Sequence, residues 1–156
     1  ILRGTALSEG IGEKLTPLPP MPQCRVLIAR PGISVSTRSV YENLRADRLR
    51  PEQHPDIDAM TAAIGEGDIH RVAGLLGNVL ETVTIPAHPV IGQLKEAMMD
   101  YGAEGALMSG SGPTVFGLFT NPRAAEDAYE DMRYGRGTNL AKQVYLTNFY
   151  NRREQG

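Results

Sequence analysis

Cysteine is almost missing from this sequence: Cys24 is the single one among 156 residues. A lone thiol excludes an internal disulfide, and its place just before an apolar run marks it as a small buried hydrophobe in a protein of the reducing cytoplasm. Excess positive charge is missing too. Sixteen Lys and Arg stand against 18 Asp and Glu, a formal net charge of -2, so no general basic field exists to hold nucleic acid or an anionic membrane by counterion release. Arg133 and Arg136, with Arg152 and Arg153, come nearest to a basic cluster, and a solvated helix end and tail account for them. No apolar run approaches the roughly 18 residues of a membrane span. No charged segment precedes an apolar one in the manner of a signal peptide, so neither membrane nor export is expected. His54, His70 and His88 share no metal-ligand spacing, which predicts ordinary surface or core histidines and no metal site.

Lysine is absent between Lys95 and Lys142, the stretch that holds the richest glycine cluster, Ser109-Gly110-Ser111-Gly112-Pro113. A phosphate-binding Walker loop needs Gly-Lys-Ser/Thr before a helix, which this gap excludes, and a Rossmann turn needs a third glycine where Val115 stands in a strand. The nucleophile elbow Gly-x-Ser-x-Gly fails as well, because Leu107 and Ser109 occupy the places of its flanking glycines. What remains is a tight strand-to-strand connection. Its glycines let bare backbone amides approach an anion or another loop, or simply make a structural hairpin.

The rest of the chain has the material of one domain. Hydrophobic residues make up 41% and charged residues 22%, ordinary for a folded protein long enough to bury a core without disulfides or metals. Ile1 to Leu7 reads like the inside of a strand rather than a free terminus, and residues 4–22, rich in glycine and proline, read as strand fragments and tight turns. Arg25 to Ala29 is a buried strand closed by Arg30-Pro31-Gly32. Ser36 or Thr37 then caps a helix through Val40, Tyr41 and Leu44. Residues 45–58 suggest an exposed connection. From Asp56 the apolar spacing turns helical, with breaks at Gly65-Glu66-Gly67 and Gly77-Asn78 giving two or three short helices, and His88-Pro89 starts another that ends at Gly102. Ala106 to Met108 and Thr114 to Phe119 are strands, Asn121 to about Tyr134 a helix, and Lys142 to Phe149 the last strand. Elements in this order indicate an α+β fold with helices packed on an antiparallel sheet.

Gly105 to Phe119, carrying Ser109-Gly110-Ser111-Gly112-Pro113-Thr114, resembles the third conserved motif of the GHMP kinases, the family named for galactose, homoserine, mevalonate and phosphomevalonate substrates. Gly4-Thr5-Ala6-Leu7-Ser8-Glu9-Gly10-Ile11-Gly12-Glu13-Lys14-Leu15-Thr16-Pro17-Leu18 is similar to the segment after the catalytic aspartate in one branch of that family. Pro31-Gly32-Ile33-Ser34-Val35-Ser36-Thr37, with Tyr41, is similar to the stretch by which that branch contacts substrate. The resemblance covers essentially the whole chain and implies that residues 1–156 form a GHMP kinase C-terminal domain of ferredoxin-like type, with 1–22 a linking segment from a missing N-terminal domain. It implies a small-molecule substrate carrying a cytidyl diphosphate on methylerythritol, with ATP and Mg2+ as cofactors of the full-length enzyme and none expected to bind tightly here. The lysine, phosphate loop and aspartate of the family's chemistry belong to the other half, so no catalytic residue is expected and the chain alone is expected to be inactive. Gly110, Ser111 and Gly112 carry over as the wall beside the methylerythritol and the phosphate loop, where a side chain larger than serine would intrude. Thr37 carries over as a hydroxyl near the substrate, beside helix amides that favour an anionic group, and Tyr41 as the ring that stacks on cytosine. Without the resemblance, Tyr41 reads as a half-buried helix tyrosine. Two alternatives stand: another GHMP kinase, acting on homoserine or a mevalonate derivative, against which Glu9 to Leu18 argues; and a stand-alone α+β ligand-binding module.

Overall fold

A computed structural model describes residues 3–151; Ile1, Leu2 and residues 152–156, with Arg152 and Arg153, lie outside the described residues. The chain opens with an antiparallel hairpin of β1 (Ala6–Glu9) and β2 (Lys14–Pro17). Its turn bends through Gly10 at φ 69° and Gly12 at φ 97°, the left-handed region that side chains resist. β3 (Arg25–Arg30) follows. α1 (Thr37–Asn43) begins after Ser36, whose hydroxyl accepts from the Ser39 amide at 3.2 Å. Of the two candidate caps the structure uses Ser36, and Leu44 ends the helix rather than continuing it. The mostly exposed connection through residue 56 holds two single 3-10 turns, Ala46–Arg48 and Pro51–Gln53.

Three short helices occupy the next segment: α2 (Ile57–Glu66), α3 (Ile69–Gly74) and α4 (Glu81–Ala87). Asp56 and Asp68 cap the first two by accepting the Ala59 and Arg71 amides at 2.9 and 3.0 Å, each such cap contributing about 1 kcal/mol. α5 (Pro89–Asp100) starts on a proline, which has no amide to leave unpaired there. Then come β4 (Gly105–Met108), β5 (Val115–Phe119), α6 (Pro122–Tyr134) capped by Asn121, and β6 (Gln143–Asn148).

β3 to β6 form one antiparallel sheet in the order β4-β5-β3-β6. Strand, helices, strand, strand, helix, strand in that spatial order is the ferredoxin-like arrangement, so the class and layer expected from the sequence are present. Period-2 alternation sends the strand side chains to two faces. Leu27, Ala29, Val115 and Phe119 are buried with Leu94 and Met98 of α5 and Ala125, Ala128 and Met132 of α6. Val26 and Leu118, on the opposite face, are buried with Ala63 and Ile64 of α2 and Val72 and Ala73 of α3. Each large apolar side chain so buried contributes about 1.5–3 kcal/mol. The helices come in close at two strand glycines: a Cβ on Gly105 would stand 2.7 Å from the Ala73 carbonyl, and one on Gly117 would stand 2.9 Å from Met98 Sδ.

Candidate functional site

The connection between β4 and β5, residues 109–114, is short and bonded across its neck. The Ser109 amide donates to the Thr114 carbonyl at 2.8 Å and the Gly112 amide to the Ser109 carbonyl at 3.0 Å. Gly110 at φ 57° and Gly112 at φ 87° both take the left-handed conformation. Their surroundings differ. Nothing lies within 4 Å of a Cβ built on Gly110, whereas one on Gly112 would meet Met108 Sδ at 2.9 Å and Thr84 Cγ2 at 3.3 Å. The loop is thus exposed at its tip and packed against the protein at its base.

α1 reaches this loop from a distant part of the chain. Thr37 Oγ1 and Ser111 Oγ are hydrogen-bonded at 2.9 Å across 74 residues of sequence. Tyr41 lies one helical turn after Thr37 on the same face, and 60% of its surface is exposed. That exposure corrects the half-buried reading of Tyr41: Val40 is the residue α1 buries, and the ring beside it has no core to enter.

Three further side chains hold the loop from beneath, and the sequence did not single them out. Asn78 Nδ2 donates to the carbonyls of Met108 at 2.9 Å and Gly110 at 2.8 Å, while its Oδ1 accepts the Leu80 amide at 3.0 Å. Thr84, 1% exposed, donates its hydroxyl to the Ser111 carbonyl at 3.1 Å. Glu81 accepts the Met108 amide at 2.9 Å and pairs with Lys95 at 2.6 Å in a largely buried contact. Asn78 reads from the sequence only as part of the Gly77-Asn78 helix break, and Glu81 and Thr84 carry no expectation. The only available signal was a polar residue among Leu80, Val83 and Ile85.

The groups whose titration is displaced, Cys24, Glu104 and Arg133, lie outside both this loop and α1. His70 Nδ1 lies 3.0 Å from Glu104, whose carboxyl is held below its usual range first by the Thr120 hydroxyl and then by His70. Cys24 is buried, and burial pushes its thiol up although the Phe119 backbone bond opposes the shift. Arg133 lies over the rings of Tyr129 and Tyr134, 5.7 and 5.4 Å from their centres, so aromatic neighbours engage this arginine. Two open cavities of about 470 and 310 Å³ flank α6 and β6, the larger lined by Arg25, Glu126, Tyr129, Glu130, Tyr145 and Leu146. Neither includes Thr37, Tyr41 or residues 110–112. Among the described residues no three His, Cys, Asp or Glu side chains converge to hold a metal, and no helix is long and apolar enough to cross a membrane.

Comparison with known proteins gives this geometry its setting. Residues 60–136 match the family described as GHMP kinases C terminal. The chain is 53% identical over 150 residues to 4-diphosphocytidyl-2-C-methyl-D-erythritol kinase of Lachnoclostridium phytofermentans, covering 96% of this chain and 50% of that protein. It is 50% identical to the kinase of the same name from Lachnospira eligens, with the same coverage. Among solved structures it resembles a 4-(cytidine 5'-diphospho)-2C-methyl-D-erythritol kinase with a TM-score of 0.72 at 27% identity, over 92% of this chain and 48% of that one. A homoserine kinase from Cytophaga hutchinsonii shares the fold, with a TM-score of 0.73 at 21% identity over 96% of this chain and 49% of that one. The chain spans about half the length of the curated relatives it matches.

Proposed function

The chain belongs to the GHMP kinases as their C-terminal domain, and from that premise we propose that it supplies the substrate-binding half of an ATP-dependent kinase. Its substrate is 4-diphosphocytidyl-2-C-methyl-D-erythritol, phosphorylated on the tertiary hydroxyl in cytoplasmic, non-mevalonate isoprenoid precursor synthesis. The observation that carries the reading is the 2.9 Å contact between Thr37 and Ser111. It joins the two segments whose resemblance implies substrate contact, in a chain 53% identical to a kinase of that name.

Each residue has a definable task under this reading. The exposed Tyr41 ring offers cytosine a stacking platform, since every base presents a π-face to an aromatic ring. The Thr37 and Ser111 hydroxyls, already paired with each other, offer donors and acceptors to the polyol at the place where α1 meets the loop. Gly110 leaves open space on the outer side of the loop, where a backbone can approach a ligand closely.

ATP brings the transferred phosphoryl group, and Mg2+ neutralises charge on the phosphates. The resemblance places the lysine, phosphate loop and aspartate of the chemistry in the other half, and every task assigned here is one of binding and orientation. Tyr41 lies 60% exposed and nothing stands within 4 Å of a Cβ built on Gly110, an open surface that a second body would complete.

The test follows ADP release with ATP, magnesium and the cytidyl substrate. The chain alone gives no turnover above background, and adding the N-terminal half of a relative such as the Lachnoclostridium phytofermentans kinase restores it. Turnover by the chain alone at an enzyme's rate removes the division of labour. A complete enzyme that accepts homoserine or mevalonate instead removes the substrate.

A further inference from the structure

We propose that Asn78 and Thr84 are positioning residues, which set the direction in which the peptide groups of the glycine loop face. The inference rests on the kinase reading only in supposing that a ligand meets this loop.

The geometry begins with the carbonyls. A hairpin connection ordinarily satisfies its peptide groups internally or leaves them to water. Here the Met108 and Gly110 carbonyls both accept hydrogen bonds from the side-chain amide of Asn78, and the Ser111 carbonyl accepts one from the Thr84 hydroxyl. In a trans peptide the carbonyl and the following amide point in opposite directions, and the cis bond among the described residues of this loop is Gly112–Pro113. With the Gly110 carbonyl drawn towards Asn78, the Ser111 amide points away from it, towards the other side of the loop. Thr84 does the same for the next peptide, whose Gly112 amide bonds the Ser109 carbonyl and closes the turn. The outcome is a loop with its acceptors turned into the protein and a backbone donor turned out, the polarity suited to a substrate oxygen or a phosphate.

Two features separate this role from plain support. Asn78 spends both amide hydrogens on loop carbonyls while its oxygen caps the Leu80 amide, so it is itself fixed. Thr84 is buried on the helix next to the loop, and its methyl and its hydroxyl serve different purposes: Cγ2 packs beside Gly112, and Oγ1 bonds Ser111.

That difference provides the experiment. Thr84→Val keeps the packing volume and removes the hydroxyl; Thr84→Ser keeps the hydroxyl and removes the methyl. Asn78→Asp keeps the cap on Leu80 and removes both donated bonds. Amide exchange of Gly112, measured on the chain against its global unfolding midpoint, should quicken roughly three- to tenfold in Thr84→Val and Asn78→Asp and stay near wild type in Thr84→Ser. In the complete kinase, kcat/KM should fall by a comparable factor in the first two and be retained by serine.

If Gly112 exchange instead follows global stability, with Thr84→Ser as the more perturbed variant, the two residues are structural only and the proposal fails. It fails equally if the loop loosens and kcat/KM does not change. A wild-type complete enzyme with no activity on the cytidyl substrate overturns the functional reading, while the exchange measurements still decide whether the loop is held as described.

Discussion

Tyr41 stands 60% exposed on α1, one turn beyond the threonine that touches the glycine loop. A large aromatic ring left in water on the face that carries Thr37 has little to gain from the fold, since Val40 provides the helix's buried contact. Stacking a base on such a ring contributes about 1–3 kcal/mol, so Tyr41→Ala in the complete kinase should raise KM for the cytidyl substrate roughly tenfold to a hundredfold. Binding made equally in ground and transition states leaves kcat alone, and Tyr41→Phe, which keeps the π-face, should lose little. Steady-state kinetics on both variants checks this. An unchanged KM in Tyr41→Ala would return the residue to the status of a surface tyrosine. The chain's own stability should be unaffected by either change.

Among the elements, α3 and β4 approach each other closely at Gly105. A Cβ on Gly105 would stand 2.7 Å from the backbone carbonyl of Ala73 and 3.1 Å from Leu76 Cδ1. A backbone carbonyl cannot turn aside as a side-chain tip can, so Gly105→Ala must push α3 off the sheet. Overpacking of this kind costs about 1–3 kcal/mol, which at this size lowers the thermal midpoint by roughly 2–12 °C. The same substitution at Gly65 in α2 meets open space and exchanges a poor helix former for the best, a gain of up to about 1 kcal/mol. Thermal unfolding of the two variants should therefore move in opposite directions. A neutral Gly105→Ala would mean that the helix can slide on the strand without loss.

For the molecule as a whole, the β1–β2 hairpin is the part least supported by the rest. Among the described residues its strands pair with each other and with no other strand, Ile11 at its turn is 98% exposed and Leu15 is 49% exposed. Two strands alone are marginal in water and need a third strand or a packed face. Amides of residues 6–17 should thus exchange close to their unprotected rates in the isolated chain, while those of Leu27 and Val115 in the sheet resist exchange up to the global limit. On addition of the relatives' N-terminal half the hairpin amides should become protected. Exchange measured with and without that partner checks it, and a hairpin already as protected as the sheet would contradict it.

How much of this could be read beforehand depends on the range of the interaction. The sequence by itself determined the elements: period-2 and helical spacing placed β3, α5 and α6 to within a few residues, and the order of strands and helices implied an α+β layer. Capping chemistry fixed the start of α1 to one of two adjacent hydroxyls, and the glycine cluster marked the loop. Each of these is set by neighbours along the chain, which composition and spacing record. Only the tertiary structure decided that Ser36 is the cap, that Tyr41 is exposed, and that Thr37 meets Ser111 across 74 residues. It alone revealed Asn78, Glu81 and Thr84 beneath the loop, because the hydrogen bonds that give them meaning run to backbone carbonyls and an amide about 30 residues away. A peptide group has the same chemistry at every position, so no residue type in the sequence announces which one a distant side chain will hold.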